Sequence, residues 1–247
     1  CFYCRILVNI REEHLFTMAR QTAISINTIP IGPLGIIGMP GCEELTDKID
    51  QYLVKWRKTQ AIEHAESIAF FGYQRDSYKI DITIPRFGSG EGKGVINESV
   101  RGYDIYIVCD VFNYSCTYNM YGKEVCMSPD DHFADLKRVI SALCSKPKRV
   151  SVIMPMLYEG RQHKRSSRES LDCAMALKEL VHLGVENIIT FDAHDQRVQN
   201  AIPDKSFENV MPTYQMIKAL VNNVDDLKVD KDHLMVISPD EGALHRC

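Results

Sequence analysis

The run Val185-Glu186-Asn187-Ile188-Ile189-Thr190-Phe191 breaks off at Asp192-Ala193-His194-Asp195. This junction constrains the fold more than any other stretch of the chain. It reads as a buried parallel strand whose last residues turn a carboxylate and an imidazole outward at one edge of a sheet. Open α/β sheets bind ligands just beyond the carboxyl ends of their strands. A second end of the same kind follows downstream, where Leu234-Met235-Val236-Ile237 runs into Ser238-Pro239-Asp240-Glu241-Gly242. Two strand ends that finish in acidic, metal-capable residues point to a charged ligand, with a metal–phosphate group foremost.

The rest of the chain supplies strands and helices in alternation. Residues 43–56 place Leu45, Ile49, Tyr52, Leu53 and Trp56 on one helical face. Phe70 to Tyr73 reads as a short strand, and Lys79 to Ile84 alternates polar and apolar residues as a half-buried strand does. Further strands are expected at Asp104–Cys109, Val150–Met154, Asn187–Phe191 and Leu234–Ile237. Helices are expected at Asp131–Cys144, Arg168–Leu183 and Met211–Val221. In the first of these, Phe133, Leu136, Val139, Ile140 and Leu143 share a face. This spacing implies βαβ units and a largely parallel sheet. Two stretches read as irregular: Ile29–Met39, interrupted by Pro30, Gly32, Pro33, Gly35 and Gly38, and Asp110–Pro129, rich in Tyr, Asn and Cys.

Composition narrows the classes. A net charge of −4 argues against bulk nucleic-acid binding, which favours a strongly basic face. No apolar stretch reaches the ~18–20 residues that cross a bilayer. The nine cysteines are odd in number and irregularly spaced. That pattern fits reduced thiols in the cytoplasm better than a disulfide framework. Cys1-Phe2-Tyr3-Cys4 has no second pair at zinc-ribbon distance. The chain starts at cysteine, and no basic start leads into a clean apolar core. The expectation is a fragment, truncated at its carboxyl end.

Two loops carry further chemistry. Gly88-Ser89-Gly90-Glu91-Gly92-Lys93-Gly94 fails as a P-loop, because Gly94 stands where Ser or Thr is needed, and Lys93 spoils a dinucleotide fingerprint. By itself it is a surface turn. After the strand ending at Met154 comes Tyr158-Glu159-Gly160-Arg161-Gln162-His163-Lys164-Arg165-Ser166-Ser167-Arg168. Guanidinium and ammonium groups crowded beside a strand's carboxyl end are suited to polyphosphate oxygens.

Taken in order, these segments resemble the ribose-phosphate pyrophosphokinase family. The resemblance is carried by Phe87-Gly88-Ser89-Gly90-Glu91 and by Asn97-Glu98-Ser99-Val100-Arg101-Gly102, its most specific segment. It continues through Tyr158 to Arg168, Asp192-Ala193-His194, and Ser238-Pro239-Asp240-Glu241-Gly242. It implies an α/β, parallel-sheet domain of the type I phosphoribosyltransferase-like class with helices on both faces, followed by a truncated second domain of similar kind. The expected divisions are an irregular segment over 1–40, the pyrophosphokinase-like domain over 41–208 and the start of the second domain over 209–247.

The implied reaction moves the β,γ-diphosphoryl unit of ATP to the 1-hydroxyl of ribose 5-phosphate, with Mg²⁺. Phe87, Ser89 and Glu91 would border the adenine across a subunit boundary, which implies a dimeric or hexameric homo-oligomer. Arg161 and Gln162 would contact ATP. Asp192 and His194 would lie near metal and triphosphate, with His194 the catalytic candidate. Asp240, Glu241 and Gly242 would form the pyrophosphate loop, Asp240 joining Asp192 and His194 as metal ligands. The partners are then ATP and ribose 5-phosphate, with no nucleic acid and no membrane.

Departures from the family pattern accompany the matches. His163 replaces the usual Asp of Arg-Gln-Asp, and the loop to Arg168 is one residue short. Ala193 stands where an aliphatic residue is usual, and Asn200-Ala201-Ile202 replaces Gly-Phe-Phe. The insert from Phe112 to Met127 is atypical. The family's ribose-5-phosphate loop and its loop with a catalytic lysine are not present, so the expectation is that this polypeptide alone is inactive. Two other readings stand beside it: a non-catalytic regulatory subunit, and a metal-dependent hydrolase using Asp192, His194 and His163.

Overall fold

Five short strands, four of them largely apolar, form one parallel sheet. The computed structural model describes residues 30–63, 74–238 and 240–241. Its elements in chain order are β1 (Leu34–Gly38), α1 (Glu43–Glu63), β2 (Ile82–Thr83), β3 (Val95–Ile96), β4 (Asp104–Val108), β5 (Thr117–Met120) and β6 (Lys123–Cys126). There follow α2 (Pro129–Ala142), β7 (Arg149–Met154), α3 (Asp172–His182), β8 (Asn187–Phe191), a 3₁₀ turn (Gln196–Ala201), β9 (Ser206–Val210) and α4 (Thr213–Asn223). The main sheet runs β1-β4-β7-β8-β9, and β2-β3 and β5-β6 form two small hairpins. Every pairing in the main sheet is parallel, so all its carboxyl ends share one edge.

Alternation along the strands builds a core on each face. Ile37, Ile105, Ile107, Val152, Met154 and Ile188 point to one side, against Phe133, Leu136, Val139 and Ile140 of α2 and Leu177 and Leu180 of α3. Ile36 and Val108 point to the other side, where Ile49, Leu53 and Val54 of α1 cover them. Helices therefore lie on both faces, as expected. Helix α2 begins with a full capping box. Ser128 Oγ accepts from the Asp131 backbone N–H, the Asp131 carboxylate accepts in turn from the Ser128 backbone N–H, and Pro129 occupies the first turn.

Several expectations need correction. Ile29–Met39 is not wholly irregular, because Leu34–Gly38 is the edge strand β1. Its glycines serve close packing: a Cβ at Gly35 would sit 2.7 Å from Ile105 Cδ1, and one at Gly38 would sit 2.5 Å from Thr46 Oγ1. On α1, the inward positions include Thr46 and Asp50, beside Ile49, Leu53 and Val54. Leu45, Tyr52 and Trp56 are exposed. Asp50 is drawn inward because its carboxylate accepts from Tyr78 N–H at 2.7 Å and Ser77 Oγ at 2.9 Å.

The stretch Asp110–Pro129 contains the β5–β6 hairpin, closed by Tyr121 and Gly122 in left-handed conformations. Helix α3 starts at Asp172 rather than Arg168, which lengthens the basic loop after β7. Leu234–Ile237 is not a strand: the place beside β8 is taken by β9. Among the described residues it has no ladder partner, and Met235, Val236 and Ile237 are exposed. An extended segment without a paired neighbour leaves its backbone groups to water. The expected strand at Phe70–Tyr73 lies outside the described residues.

Candidate functional site

The carboxyl edge of the sheet brings two of the predicted segments together. At the end of β8 the chain turns sharply, with Asp192 at φ 43°, in the left-handed region. Asp is among the residues that tolerate that region, and such outliers gather at functional sites. Neighbouring strands hold the turn. Asp192 N–H donates to Val210 O at 3.1 Å, Phe191 N–H to Pro155 O at 3.3 Å, and Ala193 N–H to the Asn209 side chain at 2.8 Å. Asp195 then caps the 3₁₀ turn, its Oδ1 accepting from Arg197 N–H at 2.9 Å.

The loop after β7 folds over this turn. Gln162 N–H donates to Glu159 O, and Cys173 N–H donates back to Gln162 O. His163 thereby lies against the β8 turn, its ring centroid 5.0 Å from that of His194. Its Nε2 is 3.4 Å from Asp195 Oδ2. The His163 side chain is only 9% exposed, and its Nδ1 is buried without a hydrogen-bond partner, as is Thr190 Oγ1 inside β8. Arg161, Gln162 and His194 are open to solvent. Arg161 and Gln162 are thus exposed on the loop that His163 seats against the turn bearing Asp192 and His194. A guanidinium, an amide, an imidazole and a carboxylate on two adjoining loops suit a polyanion carrying a hard cation.

Electrostatics sharpen the picture. Hydrogen bonds from Arg197 hold the Asp195 carboxyl well below the usual carboxylate range, against the small opposing effect of burial. Burial first, and then the charges of Asp172 and Asp130, push Glu159 upward. Tyr158 OH donates to Asp130 at 2.6 Å and stacks on Phe133 with centroids 4.3 Å apart. The β7 loop is thus fixed to the amino end of α2.

Phe87, Ser89 and Glu91 belong to a different set of elements. They form the tip of the β2–β3 hairpin, where Arg86 and Gly92 bridge. Ser89 Oγ donates to Glu91 at 2.7 Å, while Phe87 is 52% exposed. Arg86 anchors the hairpin: it donates to Asp135 of α2 at 2.6 Å and to Gly90 O at 3.0 Å. Asp240 and Glu241 are exposed in the stretch after α4, not at a strand end of the sheet. Ser238 Oγ donates to Asp240 O at 2.6 Å. Gly242 lies outside the described residues.

Two supporting residues are absent from the sequence-based expectations. Asp195 carried a signal, since an Asp at the start of a helical turn is a cap. Asn209 carried none, because its contact depends on β9 lying beside β8. Among the described residues, no three His, Cys, Asp or Glu side chains converge on a preformed metal cage. No helix among them is long and apolar enough to cross a membrane.

Comparisons with known proteins identify the family and the fold. The family model for the N-terminal domain of ribose phosphate pyrophosphokinase matches residues 34–184, more than half of the chain. That span includes Phe87, Arg161 and Gln162 and ends before Asp192. A ribose-phosphate pyrophosphokinase of Pasteurella multocida is 26% identical over 169 residues, covering 67% of this chain and 47% of its own. The Vibrio cholerae protein of the same name is 26% identical over 170 residues with the same coverage. The chain therefore spans about half the length of these relatives. The crystal structure of phosphoribosylpyrophosphate synthetase from Mycobacterium smegmatis superposes with a TM-score of 0.56 at 18% identity, over 77% of this chain and 52% of that one. At that identity the likeness establishes the fold.

Proposed function

Because this chain belongs to the ribose-phosphate pyrophosphokinase family, through its N-terminal domain, we propose that it carries the nucleotide side of a diphosphotransfer site. The protein would transfer the β,γ-diphosphoryl unit of ATP to the 1-hydroxyl of ribose 5-phosphate. A bond forms between that hydroxyl oxygen and the β-phosphorus, the bond from the β-phosphorus to the α,β-bridging oxygen breaks, AMP leaves with that oxygen, and the hydroxyl proton passes to water. The observation that carries this reading is the seating of the Arg161–His163 loop on the Asp192–His194 turn, where the two rings lie 5.0 Å apart.

The chemistry of each group suits the role given to it. Arg161 offers a planar fork of donors to phosphate oxygens, and Gln162 an amide beside it. His194 stands open to solvent at the same edge and would donate to the triphosphate where charge develops. Asp192 is the hard oxygen ligand that Mg²⁺ prefers; such an ion takes few protein ligands and keeps phosphates and waters for the rest. A sparse donor set fits that ion. Bound there, Mg²⁺ would neutralise phosphate charge during transfer. His163, whose ring lies 5.0 Å from that of His194, would restrict how that imidazole turns.

The exposed Phe87–Glu91 tip would border the adenine of a neighbouring copy's nucleotide, which makes a homo-oligomer part of the proposal. Acceptor binding is assigned to sequence outside the matched half. A cytoplasmic setting belongs to the same reading, and the six described cysteines are all free thiols. The test is calorimetric titration of MgATP against the full-length protein and its Arg161→Ala variant. Loss of one charge-assisted contact should weaken binding by about tenfold or more. Equal affinity in the two proteins would refute the role given to Arg161.

A further inference from the structure

The Phe87–Glu91 tip does not stand alone, because a second hairpin is built against it. Tyr121 N–H, at the turn of β5–β6, donates to Gly88 O at 2.9 Å. The Arg86 guanidinium lies 4.6 Å from the centroid of the Tyr118 ring. Met120 closes the space at Gly90, where an added Cβ would meet its sulfur at 2.8 Å. The two turns form one unit, and each bears an exposed aromatic ring: Phe87 is 52% exposed and Tyr121 80%.

Tyr121 is an unusual residue for its place. It stands at φ 50° and Gly122 follows at φ 78°, so both central turn residues are left-handed. Two-residue hairpin turns of that kind favour Asn-Gly, since a bulky side chain there brings Cβ against the following carbonyl. A ring left 80% exposed adds little to the core. A disfavoured backbone that holds a large aromatic out in solvent, tied to the Phe87 loop, points to a role outside folding.

We propose that Tyr121 is a base-binding residue, presented beside the Phe87 loop by the β5–β6 hairpin to make a second aromatic contact with the purine of ATP. The inference rests on the reading that the Phe87 loop borders the nucleotide. Aromatic side chains hold nucleobases through their π faces. On this reading the insert that carries Tyr121 both fixes the loop and enlarges the aromatic surface offered to the base.

The decisive variant is Tyr121→Asn. It supplies the favoured Asn-Gly pair and keeps the backbone N–H that bonds Gly88 O, so the fold should be at least as stable as wild type. Its affinity for MgATP in the full-length protein should fall about tenfold, while binding of inorganic tripolyphosphate with Mg²⁺ is unchanged. Tyr121→Gly, which also relieves the backbone, should behave alike, and Tyr121→Phe should bind MgATP as wild type does. A stable Tyr121→Asn protein that binds MgATP as tightly as wild type would overturn this inference alone. So would an equal loss of tripolyphosphate affinity, which would place the defect at the phosphates. A wild-type protein that binds no MgATP would overturn the functional reading and this inference with it.

Discussion

Replacing Asp135 with alanine should destabilise the protein by about 3 kcal/mol, the lower end of the range for breaking a buried ion pair from one side. The side chain of Asp135 is 2% exposed and accepts from two arginines, Arg86 Nη2 at 2.6 Å and Arg138 Nη1 at 2.5 Å. Arg86 is itself only 11% exposed, so it cannot regain full hydration when the carboxylate goes. It does keep Gly90 O and the Tyr118 ring, which sets the estimate at the low end. Arg138 is 32% exposed and adds little. For a chain of this size, ~3 kcal/mol corresponds to a fall in Tm of roughly 6–12 °C. Urea unfolding followed by circular dichroism measures the loss directly. Arg86→Met should cost less, about 1–2 kcal/mol, since Asp135 retains Arg138. The pair Asp135→Leu with Arg86→Met should recover part of the loss, because no charge is then stranded. A cost for Asp135→Ala below ~1 kcal/mol, the figure for an exposed pair, would refute the claim that a buried ion pair anchors the Phe87 hairpin.

Other perturbations test separate parts of the structure. Gly38→Ala places a Cβ against Thr46 of α1 and should cost about 1–3 kcal/mol by overpacking; a neutral result in urea unfolding would contradict the packing of α1 on β1. Native-state alkylation should reach exposed Cys126 and Cys144 before buried Cys42, Cys109 and Cys173. Burial pushes the Cys42 and Cys173 thiols up to about 11, so they stay protonated at neutral pH; early labelling of either, read by mass spectrometry, would refute this. Asp195 is held low by Arg197, so its contribution is full above the ordinary carboxylate value of about 4. It is lost as pH falls through the depressed folded-state value. Arg197 is 80% exposed, so Asp195→Asn should remove only roughly 0.5 kcal/mol at pH 7 and flatten the acid limb of the stability profile.

The sheet centre was legible because its strands are continuous apolar runs with clear breaks. Asn187–Phe191 and Asp104–Val108 were readable for that reason, and Leu136, Val139 and Ile140 announced the core face of α2 by their spacing. The edge was less legible. The glycines of Leu34–Gly38 suggest a loop until the close approach of Ile105 and Thr46 is known. Ser206–Val210 is too polar to read as a strand, yet β8 offers it a ladder. Conversely, Leu234–Ile237 has the composition of a strand and no sheet partner among the described residues. At the site, the sequence pointed to Arg161, Asp192 and His194. It could not reveal that His163 would seat one loop on the other, or that a hairpin from the insert would brace Phe87.

The central claim concerns which bond of ATP is broken, and product analysis tests it most directly. The full-length protein, given ATP, ribose 5-phosphate and Mg²⁺, should yield phosphoribosyl pyrophosphate and AMP in equal amounts, resolved by phosphorus NMR. Replacing Arg161 with alanine should depress both products together. Formation of ADP, or release of free phosphate without a phosphoribosyl product, would contradict the account.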